Sequence, residues 1–127
     1  MNAQPLKAYI DVAALEHNCR VLRSMIPPGC RLSVAAKANG YGHGIGLALP
    51  AFEAAGVSML LTATIQEACE LRLLGWARPI LVLGSELSLY GPSERREIAE
   101  WLVRRGVRVT LTREEDIPAL VAAARLA

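Results

Sequence analysis

The chain is poor in aromatics, in lysine and histidine, and in long apolar runs. Aromatic residues make up 5% of its 127 positions, so any core must be built from Leu, Val, Ile and Ala. No stretch reaches 18 apolar residues, which excludes a transmembrane helix. The first ten residues, MNAQPLKAYI, lack a charged start followed by an apolar stretch, so no signal peptide is read there. Three cysteines, Cys19, Cys30 and Cys69, form no CxxC pair and are odd in number. They read as reduced, mostly buried thiols of a cytoplasmic protein. With two histidines, His17 and His43, a His/Cys zinc site is poorly supplied, and no metal is expected. A net charge of +2, with basic residues spread along the chain, leaves no nucleic-acid or polybasic membrane footprint. A content of 53% apolar and 20% charged residues excludes disorder.

What is present alternates between two periods. Ala8–Ile10 is expected to be a short strand. Asp11 then caps a helix with Val12, Leu15, Cys19, Leu22 and Ile26 on one face, stopped by Pro27-Pro28-Gly29. Leu32–Ala36 is a short apolar run ending at Lys37, followed by a loop with Gly40, Gly42, Gly44 and Gly46. A second helix runs to about Ala55 before Gly56. Met59–Ala63 reads as a strand, and Thr64 with Glu67 as the capping box of a helix ending at Gly75. Ile80–Leu83 is a strand, Ser88–Ser93 a loop, and Glu94–Arg105 a helix with Ile98, Trp101 and Leu102 inward. The Arg95-Arg96 and Arg104-Arg105 pairs read as its solvated face. Val107–Leu111 is a strand, and Thr112 with Glu115 a second capping box before a helix that runs to the last residue.

Strand and helix thus repeat four times from Leu32, at roughly 24–27 residues per unit, which fits βα units and a parallel sheet. Two architectures satisfy that count. One is a flavodoxin-like open sheet with a reversal of strand order. The other is about half of a (β/α)8 barrel, whose full form takes about 250 residues. The last helix pattern, Ile117, Leu120, Val121 and Ala124, runs to the final residue without a C-cap glycine and reads as interrupted. One partial barrel domain over residues 1–127 is therefore expected.

The chemistry concentrates in LSVAAKANGYGHGIG, residues 32–46. Of 12 arginines and two lysines, one lysine, Lys37, directly ends an apolar strand. In parallel α/β folds that end is where ligands bind. Burial favours the neutral amine, which attacks aldehydes. The helix starting near Gly44–Ile45 could turn its free N–H groups to a phosphate, and Tyr41 could donate to the same anion. An amine for an aldehyde and donors for a phosphate describe pyridoxal 5'-phosphate. Lys37 precedes all four glycines, so this is no Walker A loop; Ile45 and Leu47 stand where a Rossmann fingerprint needs glycine, and no GxSxG elbow occurs. His43 reads as a structural hydrogen bonder, Asn39 as a residue that turns or orients the loop.

Lys37-Ala-Asn-Gly-Tyr41-Gly-His43-Gly44 resembles the pyridoxal-lysine signature of the alanine racemase family. Ala8-Tyr-Ile-Asp11 with Leu15, His17 and Asn18, then Gln66-Glu67-Ala68 and Ile80-Leu-Val-Leu-Gly84, fit the same N-terminal pattern. The resemblance implies a fold-type III pyridoxal barrel followed by a β-rich domain. It implies a cytoplasmic isomerase that interconverts L- and D-alanine for cell-wall synthesis, through an aldimine on Lys37, with Tyr41 on the phosphate. It further implies a homodimeric parent whose opposite-face tyrosine comes from a partner subunit, while an arginine facing the pyridine nitrogen comes from the second half of the barrel. These 127 residues alone are then expected to be a fragment with little activity of its own. Another fold-type III pyridoxal enzyme, or a non-catalytic pyridoxal-binding barrel, is the alternative reading.

Overall fold

The computed structural model describes residues 6–127; the reading of the first ten residues as free of a leader rests in part on residues 1–5, which lie outside them. Helix α1 spans Val12–Met25 and begins where expected, because Asp11 Oδ1 accepts the Ala14 N–H at 2.9 Å. Residues Ala8–Ile10, expected as a strand, join no ladder. Three apolar residues without a neighbouring strand have nothing to bond.

Four strands follow: β1 (Ser33–Ala35), β2 (Met59–Thr62), β3 (Ile80–Val82) and β4 (Val107–Val109). They pair in parallel in the order β1-β2-β3-β4, so there is no reversal and no switch point. That ordering removes the flavodoxin-like alternative. β4 ends at Val109, earlier than the expected Leu111; Thr110 next donates both its N–H and its hydroxyl to Val82 O.

Between the strands lie α2 (Lys37–Tyr41, a single irregular turn), α3 (Ile45–Ala54), α4 (Ile65–Leu73) and α5 (Pro92–Arg104), and α6 (Ile117–Leu126) follows β4. Register places Val34, Leu60, Ile80 and Val107 in one row across the sheet. Leu60, Ile80 and Val107 are buried in a common cluster with Ile65, Ala68 and Leu71 of α4 and Leu102 of α5. The next row, Ala35, Leu61, Leu81 and Arg108, faces the other way and is only half-buried or exposed. Helices on one face and an open second face are the geometry of barrel strands seen from inside.

Two further expectations change. The loop after β3 contains a 3-10 turn, Leu87–Leu89, and α5 begins earlier than predicted, at Pro92, a favoured first-turn residue. Thr112 and Glu115 do not form a capping box. Thr112 instead donates to Ser85 Oγ at 2.8 Å, the chain takes a 3-10 turn over Glu114–Asp116, and α6 starts without a side-chain cap.

Candidate active site at the strand-end lysine

The last β1–β2 rung is the Ala36 N–H bond to Leu61 O, at 2.8 Å. Lys37 comes next, at the C-terminal edge of the sheet, and is half-buried.

The backbone then does something no periodicity predicts. Ala38, Asn39, Gly40 and Tyr41 all take positive φ, at 51°, 53°, 65° and 53°. They form one left-handed turn, closed by Gly40 N–H to Ala36 O and Gly42 N–H to Ala38 O, both at 3.1 Å. Left-handed backbone costs an L-residue about 1–2 kcal/mol, so these four consecutive positions, three of them non-glycine, must be held by their surroundings. Two side chains of the loop itself contribute. Asn39 Oδ1 accepts the Ile45 N–H at 2.8 Å, and His43 Nδ1 donates to Gly40 O at 2.8 Å. The structural role read for His43 is met.

The turn sets Tyr41 beside Lys37: Nζ lies 5.7 Å from the ring centroid, and the tyrosine is 60% exposed. An amine and a phenol therefore share one open rim. The expected anion site at the start of α3 is altered, because the Ile45 N–H is already taken by Asn39. The exposed Tyr41 hydroxyl remains a candidate donor to an anion at this rim.

The neighbouring units reach across to this rim. Glu67 completes the predicted box with Thr64, whose Oγ1 accepts the Glu67 N–H at 3.1 Å. Its carboxylate also accepts from Ala63 N–H and Ala38 N–H, each at 2.7 Å. Glu86, from the loop after β3, accepts from Ile65 N–H at 2.5 Å. Gly84 passes so close to β2 that a Cβ there would lie 2.4 Å from Ala63 O.

Sequence reasoning missed Arg95. It is half-buried rather than solvated, donating to Leu87 O and Tyr90 O at 3.1 Å each. Its Nη1 stands 3.6 Å from Asp116 Oδ1. Asp116 is fully buried and neither carboxylate oxygen receives a hydrogen bond, so this ion pair is its partner. Tyr90 is half-buried and packs on the core, while Tyr9 is exposed. Cys19 is buried, Cys69 half-buried and Cys30 exposed, and all three are free thiols. Among the described residues, no group of His, Cys, Asp and Glu could hold a metal, and no helix is long and apolar enough to cross a membrane.

Four parallel βα units in sequential order, with helices on one face of the sheet, are the arrangement of the opening portion of a (β/α)8 barrel. Residues 10–127 match the family model described as alanine racemase, N-terminal domain. The chain belongs to the alanine racemase family. It is 38% identical to the alanine racemase of Geobacter sp. (strain M21) over 98 residues, 77% of this chain and 25% of that protein. Against the alanine racemase of Desulfovibrio desulfuricans, identity is 38% over 122 residues, 95% of this chain and 30% of the relative. Among solved structures, the alanine racemase of D-cycloserine-producing Streptomyces lavendulae superposes with a TM-score of 0.77 at 31% identity, covering 98% of this chain and 31% of that one. A histidine racemase from Leuconostoc mesenteroides shares the fold at 24% identity and a TM-score of 0.73, covering 91% of this chain and 29% of its own. The chain thus spans a quarter to a third of the length of these relatives, and its four-stranded sheet corresponds to the N-terminal part of their barrel.

Proposed function

We propose that these residues supply the lysine side of an alanine racemase, an isomerase that interconverts L- and D-alanine with pyridoxal 5'-phosphate. The supporting observation is the placement of Lys37 at the C-terminal end of β1 with the Tyr41 ring 5.7 Å from its Nζ. The residues fit the cofactor: the amine is where an aldehyde could be held, and the exposed phenol is within reach of a phosphate on the same rim. When bound, pyridoxal phosphate supplies an aldehyde carbon for amines and a ring that withdraws electrons from Cα.

Lys37 has two tasks in this reading. It holds the cofactor through Nζ at rest. When substrate takes its place, the free amine removes or returns the Cα proton on one face. Tyr41 anchors the phosphate. The opposite face needs a second acid–base group. Tyr9 is exposed in the leading segment and Tyr90 is packed on the core, so the tyrosine of a partner subunit in a homodimeric parent is the proposed second base. The arginine opposite the pyridine nitrogen is proposed to come from the remaining βα units. Three unpaired thiols support a reducing, cytoplasmic setting.

The test is chemical. Borohydride reduction of the protein incubated with pyridoxal phosphate, followed by peptide mapping, should place the pyridoxyl group on Lys37. Labelling at Lys7 instead defeats the assignment. In a parent carrying the rest of the barrel and the β domain, Lys37→Ala should abolish interconversion of L- and D-alanine, read by chiral chromatography.

A further inference from the structure

We propose that Glu67 is the positioning residue for Lys37, holding the left-handed turn from which the lysine projects. The proposal rests on the reading of Lys37 as the cofactor lysine. A capping box needs one carboxylate oxygen, and Glu67 Oε2 fills that role with Ala63 N–H at 2.7 Å and Thr64 N–H at 3.3 Å. Oε1 is then free, and it leaves its own unit to accept the Ala38 N–H at 2.7 Å, 29 residues away in sequence. Both neighbours of Lys37 are thereby fixed by the second βα unit: Ala36 through the last ladder bond to Leu61 O, Ala38 through the carboxylate.

Ala38 is the first left-handed residue of the turn, at φ 51°, and alanine disfavours that conformation. A charge-assisted bond to its N–H is what makes the conformation persist. The direction of the Lys37 Cα–Cβ bond follows from the backbone on either side of it. Glu67 acts through that backbone, since no salt bridge among the described residues includes Lys37.

Glu86 provides the control. Its carboxylate accepts from Ile65 N–H at the next rim junction and does not touch the Lys37 turn. A glutamine at position 67 keeps one acceptor and gains a donor, so it can serve the cap or Ala38 but not both.

The experiment measures pyridoxal phosphate binding to the unmodified protein, Glu67→Gln, Glu86→Gln and Thr64→Ala. The readouts are near-visible absorbance and the borohydride-trapped yield of pyridoxyl-Lys37 at sub-saturating cofactor. All four are assayed in trimethylamine N-oxide, which holds destabilised variants in the folded state, with folding checked by far-UV circular dichroism. Misplacing a reacting group by a fraction of its reach costs up to about 100-fold. Glu67→Gln should lower the Lys37 yield about tenfold or more, with Glu86→Gln and Thr64→Ala within twofold of the unmodified protein. If Glu67→Gln labels as well as the unmodified protein, or if the other two variants fall with it, Glu67 has no positioning role. If the unmodified protein gives no adduct at Lys37, the cofactor reading itself fails, an outcome distinct from either of these.

Discussion

Asn39 carries two burdens at once, and substitution can separate them. Its backbone sits at φ 53°, and its Oδ1 accepts the Ile45 N–H that opens α3. Removing the acceptor leaves the N–H of a buried residue unpaired at a helix start, a loss of about 1 kcal/mol. Replacing asparagine, which tolerates left-handed backbone, by alanine adds about 1 kcal/mol more. Asn39→Ala should therefore cost about 2 kcal/mol, and at about 4 °C per kcal/mol for a domain of this size, Tm should fall by about 8 °C. Asn39→Gly loses the same acceptor but meets no Cβ penalty, while its freer unfolded chain returns part of that gain. It should cost about 1 kcal/mol. Asn39→Asp keeps the acceptor and puts a negative charge at the α3 N-terminus, which contributes about 0.3–1 kcal/mol, so it should match or exceed the parent residue. Urea unfolding followed by circular dichroism would give the order Asp, Asn, Gly, Ala. Equal values for Gly and Ala would show that the backbone conformation carries no strain; an Asp variant weaker than Gly would show that the side-chain bond does not form.

Other expectations are simpler to state. Gly84→Ala drives a Cβ to 2.4 Å from Ala63 O, backbone that has no flexible end to retreat, and should destabilise by about 2 kcal/mol or more in the same urea assay. Tyr41→Phe should weaken pyridoxal phosphate binding by about 1.5–3 kcal/mol, read by absorbance titration, and affect turnover at saturating cofactor less. Arg95→Met leaves the buried Asp116 carboxylate uncompensated and should cost about 3–5 kcal/mol, whereas Asp116→Asn removes the charge and should cost far less. Burial pushes the Cys19 and Cys69 thiols up from the ordinary thiol value, so less thiolate is present at a given pH. Maleimide at pH 8 should therefore modify exposed Cys30 first, by mass spectrometry of timed samples, with the other two catching up as pH rises.

Local signals in the sequence were met where their partners are also local. Thr64 and Glu67 are three residues apart, and the box they predict forms. Asp11 caps α1 through Ala14, also three residues on. The four strands and the rim position of Lys37 followed from apolar runs and their spacing. Failures came where distant groups decide. Thr112 and Glu115 match a capping box in spacing, but the Thr112 hydroxyl is claimed by Ser85, 27 residues earlier. Arg95 looked like one of a solvated pair because its acceptors are carbonyls of the preceding loop and a carboxylate 21 positions later. The second oxygen of Glu67 was invisible for the same reason. The left-handed turn over Ala38–Tyr41 has no periodic signature at all; only Asn39 and Gly40 hint at it.

The strictly sequential strand order governs how such a chain acquires its structure in time. Ser33 meets Met59, Leu60 meets Ile80, and Ile80 meets Val107, partners 26, 20 and 27 residues apart. Among the described residues, each of the three ladders is completed by the next strand to be made. Closing such modest loops is entropically cheap and keeps mean sequence separation low, which favours rapid acquisition of the native contacts. At ribosomal speeds of about 5–20 residues per second, each βα unit has on the order of seconds to dock on its predecessor before the following one emerges. The carboxylate of Glu67 arrives with the second unit, so its bond to the turn after Lys37 forms only once about 30 more residues have followed the lysine out of the ribosome.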